Sequence, residues 1–402
     1  MSAKKQTKTI TLNIDLRAKL TGFDSARTAT PAHYRIMKRL CSPLLMGPPP
    51  SDGILELVMH IFTEDEADVA QYLPIYRPRT AQKIAALCSR SMPDVEKLLD
   101  NLAFNKFVIL ATGKDPRKYT IVPIIPGAFE LALMTKDIST RNSWHKKFAE
   151  IFERLWDKGD LLIDYISKGR APIRYLPVGG VSKTLHLAWP SDKLEEILDR
   201  YDLFAVGNCQ CRLAMQLIGK GCGRPLENCT IYGPFAVPFI KTGLMRKSSR
   251  QEIIDIKRNA EENGCITWMI NELGDPRGSG SCSCCGCCCH ALRTISQFNT
   301  PGTISKPHFT PQQNTEKCTL CELCVNACQM GAWTVSDKTL QFNLNRCIGC
   351  GLCVLACKFD ALYLIPHEDA LPPEKSLLKL ILKSFPSMIR NTVRVYAGRL
   401  VL

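Results

Sequence analysis

Two runs of cysteines with identical spacing constrain this chain more than any other feature. Each run has the pattern C-x2-C-x2-C-x3-C, and the second starts 29 residues after the first. The first comprises Cys318, Cys321, Cys324 and Cys328, and the second comprises Cys347, Cys350, Cys353 and Cys357. Three thiolates on one tight loop can hold three corners of an iron–sulfur cube, and chance or a disulfide framework would rarely repeat four cysteines in register. The spacing therefore predicts two 4Fe-4S clusters.

The fourth cysteine of each run lies beyond the tight loop and usually ligates the other cluster. One predicted ligand set is therefore Cys318, Cys321, Cys324 and Cys357, and the other is Cys347, Cys350, Cys353 and Cys328. Zinc is the main alternative to iron and sulfide. Eight thiolates could hold two zinc ions, although structural zinc sites usually pair two short cysteine motifs across a longer span.

The segment 309–367 resembles the two-cluster 4Fe-4S ferredoxins of bacteria. It departs from their pattern at Gln329 and Lys358, where a proline commonly follows the fourth cysteine. Proline is not a ligand, so the departure bears on the surroundings of the clusters and on their reduction potential. The resemblance implies one-electron transfer without substrate chemistry of its own, and a redox partner protein to exchange electrons with.

The 402 residues and 45% hydrophobic content are enough for two to four domains with real cores. Nineteen of the 21 cysteines lie in the C-terminal half, eight in the repeat and eleven between residues 209 and 289. This clustering favours metal binding over a secreted disulfide framework. The sequence contains no apolar stretch of membrane-spanning length and no signal-peptide h-region, so we expect a cytoplasmic protein.

The N-terminal half predicts a basic leader, a small domain and a helical linker. Residues 1–50 are basic and end in Gly-Pro-Pro-Pro. Residues 51–126 predict three helices followed by two strands, an order that suggests a winged-helix-like module whose reading helix would be Ser91–Asn105. Acids outnumber bases on that helix, which favours a protein-docking or structural module, with DNA binding as the alternative. Residues 127–170 predict helix with aromatic side chains in the core.

Residues 171–298 predict a small α/β domain with cysteines at the strand ends. The pattern C-x-C-R-x9-C-x6-C combines Cys209, Cys211, Cys222 and Cys229, and Arg212 could donate hydrogen bonds to cluster sulfurs. The run Cys282–Cys289 contains six cysteines in eight residues, with Cys282, Cys285 and Cys288 in C-x2-C-x2-C register. These seven cysteines are the candidate ligands of a third iron–sulfur cluster or a zinc ion. The alternatives are free buried cysteines and reactive redox thiols.

The whole chain is similar to a group of prokaryotic 4Fe-4S dicluster proteins without an assigned reaction. The expected architecture is therefore α+β and multidomain, with a winged-helix-like module, a central Cys-rich α/β domain and a C-terminal ferredoxin-like domain. Residues 371–402 predict a basic amphipathic tail, broken at Pro386, that lies on an anionic membrane or packs on its own protein.

We expect an iron–sulfur protein that relays single electrons to or from a partner oxidoreductase. The chain contains no flavin, nicotinamide or haem fingerprint, which leaves its status as an enzyme open. One alternative is a redox-sensing DNA-binding regulator. Another is an oxidoreductase with a metal site within residues 209–289.

Overall fold

The computed structural model describes residues 28–45, 47–75, 77–161, 171–179, 193–299 and 304–400. Helices and strands are mixed along the chain, so the α+β class is confirmed. Most of the predicted basic leader, residues 1–27, lies outside the described residues. The domain boundaries predicted from the sequence stay predictions.

Five helices and a small sheet make up residues 31–121. The helices are α1 (Pro31–Leu40), α2 (Asp52–Ile61), α3 (Glu64–Ala70), α4 (Ala81–Cys88) and α5 (Met92–Asp100). Strands β1 (Arg79–Thr80), β2 (Ile109–Thr112) and β3 (Lys118–Ile121) form an antiparallel sheet in the order β1-β3-β2. The three helices predicted for residues 51–126 correspond to α2, α4 and α5, and the predicted hairpin is β2 and β3, whereas α3 and β1 were not predicted. Ser91 caps α5, because its hydroxyl accepts a hydrogen bond from the backbone N–H of Asp94 at 3.3 Å.

The predicted helical linker contributes to the same hydrophobic core as α1–α5. It contains α6 (Phe129–Leu133) and α7 (Ser143–Asp157), and α7 packs on α2. The aromatic side chains predicted as core are buried, except for the half-buried Trp144. Phe129 and Phe152 stack with ring centroids 4.0 Å apart. Burial of this aromatic face fixes α7 against the N-terminal helices.

A six-stranded sheet forms the centre of the chain, in the order β4-β8-β9-β6-β5-β7. Its strands are β4 (Ile173–Tyr175), β5 (Phe204–Asn208), β6 (Glu227–Tyr232), β7 (Arg246–Ser248), β8 (Ile266–Ile270) and β9 (Ser279–Cys284). The helices between or after them are α8 (Leu194–Leu198), α9 (Gln210–Leu217), α10 (Ala236–Lys241), α11 (Arg250–Glu262) and α12 (His290–Ser296).

All described strand pairs of this sheet are antiparallel, which differs from the expected α/β arrangement. A parallel pair needs a crossover that returns along the face of the sheet. Helix α9 instead leaves the end of β5 and packs against α6 and α7, so the chain re-enters as β6 in the opposite direction. As a result the end of β5, the start of β6, the end of β9 and the start of β8 lie at one edge of the sheet.

The C-terminal segment contains two antiparallel strand pairs and two short helices. Strand β10 (Phe309–Gln313) pairs with β13 (Leu362–Pro366), and β11 (Trp333–Ser336) pairs with β12 (Thr339–Phe342). Helices α13 (Leu323–Ala327) and α14 (Leu352–Ala356) follow the two cysteine loops and contact each other.

The tail forms one helix, α15 (Leu377–Leu400), which continues through Pro386, so the predicted break is wrong. Proline removes one backbone hydrogen bond, and solvent can satisfy the freed carbonyl because Leu382, one turn earlier, is 63% exposed. The start of α15 is anchored to the protein: Asp275 accepts from Leu377 N, and Lys383 pairs with Glu374 at 2.9 Å. Membrane contact by this helix stays a prediction. None of the described helices has the length and apolarity to cross a bilayer.

Replacement of Phe152 by alanine tests the shared N-terminal core. Phe152 is fully buried and stacks on Phe129, so we expect Phe152→Ala to lower the free energy of unfolding by about 3–5 kcal/mol. Leu110→Ala is the matched control, because Leu110 is 43% exposed on β2. Anaerobic urea denaturation followed by tryptophan fluorescence measures both. Equal midpoints for the two variants would contradict a continuous core.

Candidate metal centres

The first cysteine loop lines a cavity of about 350 Å³ together with a cysteine from the second run. The four cysteines are Cys318, Cys321, Cys324 and Cys357, and the remaining lining is largely apolar, including Leu340 and Phe359. Cys318 and Cys321 approach the cavity from the loop before α13, and Cys324 approaches it from the first turn of α13. Cys357 reaches it from the C-terminal end of α14.

The second loop lines a cavity of about 380 Å³, to which the first run contributes its fourth cysteine. Its cysteines are Cys328, Cys347, Cys350 and Cys353. Each predicted ligand set therefore shares one cavity, and the fourth cysteine of each run lies in the cavity of the other. The assignment of these eight thiols as ligands stays a prediction, and the donors around each cavity suit an iron–sulfur cluster.

The two loops have the same backbone shape in spite of different residues. Positions 29 residues apart share a left-handed conformation: Leu320 with Gly349, and Glu322 with Gly351. A left-handed residue bends the loop sharply enough for its three thiols to converge. At Gly349 a Cβ would lie 2.7 Å from the carbonyl oxygen of Phe309, so glycine is required there for space as well.

Backbone N–H groups donate to the thiols at equivalent places in both halves. Ala332 N lies 3.3 Å from Cys328 Sγ, and Ala361 N lies 3.3 Å from Cys357 Sγ. Burial raises the pKa of Cys347 to about 11 and that of Cys353 to about 12. A cation must therefore displace these protons, and a bound metal does so.

In the central domain, four thiols gather at the edge of the sheet, and we call them the outer group. They are Cys222, Cys285, Cys287 and Cys288, whose sulfur atoms all lie within 4.8 Å of one another. The Sγ–Sγ distance is 3.9 Å between Cys222 and Cys285, and 3.7 Å between Cys287 and Cys288. Cys222 comes from the loop after α9, and the other three follow β9. Hydrogen bonds from Cys285 and Cys288 lower the pKa of Cys287 to about 3.

Six further thiols form an inner group that is buried except for the half-buried Cys211. The members are Cys209, Cys211, Cys229, Cys282, Cys284 and Cys289. Cys229 and Cys282 face each other across β6 and β9. A hydrogen bond from Cys211 lowers the pKa of Cys209 to about 6. Hydrogen bonds from Cys211 and Cys284 hold the pKa of Cys289 well below its ordinary value. Protein groups alone therefore favour the thiolate form of Cys209 and Cys289.

A buried polar chain connects the inner group to the N-terminal core. Cys211 Sγ lies 3.5 Å from His290 Nδ1, and His290 Nε2 lies 2.8 Å from a carboxylate oxygen of Glu153 on α7. Arg293 donates to the other Glu153 oxygen at 2.6 Å. The pKa of Glu153 is lowered, because its hydrogen bond to His290 and the charges of His290 and Arg293 outweigh the effect of burial.

Two buried cations lie against the thiols. Arg212 is 2% exposed and donates to Cys265 Sγ at 3.0 Å and to the carbonyl of Ser283 at 2.7 Å. Lys257 is 1% exposed and donates to the carbonyl of Asn228 at 2.7 Å. Neither forms an ion pair with a carboxylate in the part of the chain that the structure describes. Burial lowers the pKa of both cations. Negative charge on Cys209 and the neighbouring thiols together outweighs burial and raises the pKa of Arg212, whereas negative charge on Cys282 only partly offsets the lowered pKa of Lys257.

The structure distributes the seven predicted central cysteines over both groups. Cys209, Cys211, Cys229 and Cys282 lie in the inner group, and Cys222, Cys285 and Cys288 lie in the outer group. The C-x-C-R-x9-C-x6-C pattern and the C-x2-C-x2-C register are each divided between the groups. Sequence reasoning missed the contributions of Cys284, Cys287, Cys289, His290 and Lys257. A signal for Lys257 existed, because it shares the inward face of α11 with Ile253 and Ala260.

Comparison with known families identifies one part of the chain. Residues 317–361 match the family model of the 4Fe-4S dicluster domain. This stretch includes all eight cysteines of the repeat, and it confirms a ferredoxin-type iron–sulfur domain near the C-terminus. No curated protein and no solved structure matches the chain. Together with the central cysteine groups, the domain indicates an iron–sulfur electron-transfer or redox function.

Double variants test the exchange of the fourth cysteines between the cavities. We expect Cys318→Ala and Cys357→Ala each to remove about four iron atoms per chain, and their combination to remove no more than about four, because both line the first cavity. The matched combination Cys318→Ala with Cys328→Ala should remove about eight. Iron and acid-labile sulfide are measured after anaerobic purification. The opposite ranking of the two double variants would mean that each run serves its own cluster.

Proposed function

We propose that this protein carries single electrons between a partner oxidoreductase and a redox centre in its own central domain. When bound, 4Fe-4S clusters supply one-electron transfer at potentials tuned by charge and hydrogen bonds. The eight cysteines of residues 318–357 would hold two clusters. The observation that carries the proposal is the pair of cavities, each lined by four cysteines that the two runs exchange.

The first cavity is the expected side for the partner. Cys321 is exposed, and Phe359, which lines the same cavity, is 46% exposed. Leu355 on α14 and Tyr363 on β13 are 52% and 49% exposed. Exposed apolar side chains near a redox site suit a transient partner that must approach closely. We expect a redox partner protein to dock there.

The second cavity lies against the central domain. Ile266 of β8 lines this cavity beside Cys350, and the carbonyl of Cys350 accepts from Val178 N at 2.9 Å. The order along the molecule is therefore an exposed cavity, a cavity at the domain contact, and the central cysteines. This order would provide a path for electrons between the exposed cavity and the central cysteines.

We infer that the inner group holds the third centre, an anionic iron–sulfur cluster. Neither buried cation forms an ion pair with a carboxylate among the described residues, although Glu261, one turn along α11, interacts electrostatically with Lys257. Two buried cations are costly to keep unless negative charge lies nearby. Arg212 interacts electrostatically with Cys209 first, then with Cys265, Cys285 and Cys284, so its charge acts on both groups. Lys257 interacts with Cys282, Cys229 and Cys284, which all belong to the inner group. A thiolate-ligated cluster supplies that negative charge. Arg212 and Lys257 would raise its potential, because they favour the more negative reduced state.

Removal of either cation tests this assignment. We expect Arg212→Gln and Lys257→Met to shift the reduction potential of one centre to more negative values and to leave the two ferredoxin-type centres unchanged. Arg246→Gln is the matched control, because Arg246 lies in the same sheet but pairs with Glu227 and Glu252. Redox titration monitored by electron paramagnetic resonance measures the potentials. Equal potentials in wild type and both variants would contradict a charged centre in the inner group.

The alternative function is a redox-sensing DNA-binding regulator. The order β1-α4-α5-β2-β3 favours it, because a winged helix-turn-helix has the same succession of elements. The charge near α5 opposes it: Arg90, which precedes the helix, is bound by Asp65, Asp68 and Asp94. We therefore propose protein docking for this module.

A mobility-shift assay at low salt separates the two functions of this module. We expect no retardation of duplex DNA by oxidised or reduced protein, because phosphates would meet the acids around Arg90. Salt-sensitive binding that changes with cluster oxidation would favour the regulator. Lys97→Glu is the control for weak nonspecific binding, since Lys97 is exposed on α5.

A further inference from the structure

The outer group has the dimensions of a site for one metal ion. Four sulfur atoms around one tetrahedral zinc ion, at the usual Zn–S distance of about 2.3 Å, are about 3.8 Å apart. The Sγ–Sγ distances of 3.9 Å for Cys222–Cys285 and 3.7 Å for Cys287–Cys288 agree with that value. All four sulfurs lie within 4.8 Å of one another, so they can converge on a single point.

The other cysteines provide an internal comparison. Among the described residues, neither ferredoxin-type cavity contains three thiols that all lie within 4.8 Å of one another. An iron–sulfur cube keeps its thiolates farther apart than a single ion does, because each thiolate lies outside its own iron. We propose that Cys222, Cys285, Cys287 and Cys288 bind one zinc ion, separate from the electron-carrying centres.

The surroundings of the outer group suit this charge and geometry. Four thiolates leave a zinc site with a net charge of about −2, which calls for a nearby cation. Arg224 lies 3.6 Å from Cys287 Sγ and is held in place by the carbonyl of Asn263 at 3.0 Å. Gly223 adopts a left-handed conformation, which turns the loop between Cys222 and Arg224.

The zinc ion would fix the surface on which the ferredoxin-type domain sits. Gln329, the residue after Cys328, accepts from Gly286 N at 2.5 Å and donates to the carbonyl of Gly264. A Cβ on Gly286 would lie 2.9 Å from the Gln329 carbonyl oxygen, so the two loops touch through backbone. Gln329 stands where related ferredoxins commonly have proline, which has no side-chain amide to make these bonds. The zinc site would thus hold residues 285–288 in place for the loop that carries Cys328.

Metal analysis of the full-length protein tests the zinc site. We expect about one zinc per chain in the wild type, lost in Cys287→Ser, while iron and sulfide stay at wild-type levels. Cys265→Ser is the neighbouring control and Cys88→Ser the remote control, and both should keep zinc. Loss of iron and sulfide instead of zinc in Cys287→Ser would assign the outer group to a cluster. Loss of one iron without sulfide would assign it to a single iron ion. Either result overturns the proposal.

Zinc X-ray absorption on the wild type keeps the test valid if Cys287→Ser fails to fold. Four sulfur neighbours at about 2.3 Å are expected. Nitrogen or oxygen neighbours in the first shell would overturn the assignment. A missing ferredoxin-type cluster would lower iron and sulfide without changing zinc, so failure of the proposed electron-transfer function remains distinguishable from failure of the zinc site.

The role of Gln329 is measured separately by hydrogen exchange. We expect the amides of residues 328–330 to exchange faster in both Gln329→Ala and Cys287→Ser than in the wild type, because each change releases the contact with Gly286. Exchange unchanged in Cys287→Ser, with zinc lost, would contradict the positioning role.

Discussion

The cost of ionising buried thiols is the constraint on which the rest of the structure depends. Thiols within the protein interior resist ionisation, as the raised pKa values of Cys347 and Cys353 indicate. Their ligand form therefore requires positive charge nearby. In the C-terminal domain backbone N–H groups and the metal would supply it, and in the central domain Arg212 and Lys257 contribute as well. The cysteines in turn supply negative charge that stabilises these two buried cations.

The antiparallel sheet brings the central cysteines together. Neighbouring antiparallel strands alternate in direction, so the end of one strand lies beside the start of the next. Cys209 follows β5, Cys265 precedes β8, and Cys284 ends β9 at the same edge. The loop after β9 then turns outward and presents Cys285, Cys287 and Cys288 to Cys222. One fold thus creates two adjacent groups of thiols, with Arg212 between them.

The ferredoxin repeat could be predicted from the sequence because its geometry is local. The three loop cysteines are six residues apart at most, and the exchange of the fourth cysteine follows from the repeat itself. The division of ten of the eleven central cysteines into two groups could not be predicted, since it depends on where β9 ends. Cys282 lies within the strand and faces Cys229, whereas Cys285 lies beyond it and meets Cys222, 63 residues earlier in sequence. The continuity of α15 through Pro386 also depends on exposure that the sequence does not reveal.

The contact between Glu153 and His290 has a consequence for how the protein can be divided. Glu153 belongs to the N-terminal core, and His290 follows directly after the last cysteine of the inner group. Separation of the helical segment from the sheet would remove the hydrogen bond between the buried carboxylate of Glu153 and the buried imidazole of His290. The N-terminal core and the central sheet are therefore linked through a buried polar contact beside the inner thiols, so a change in the aromatic core would alter the surroundings of those thiols.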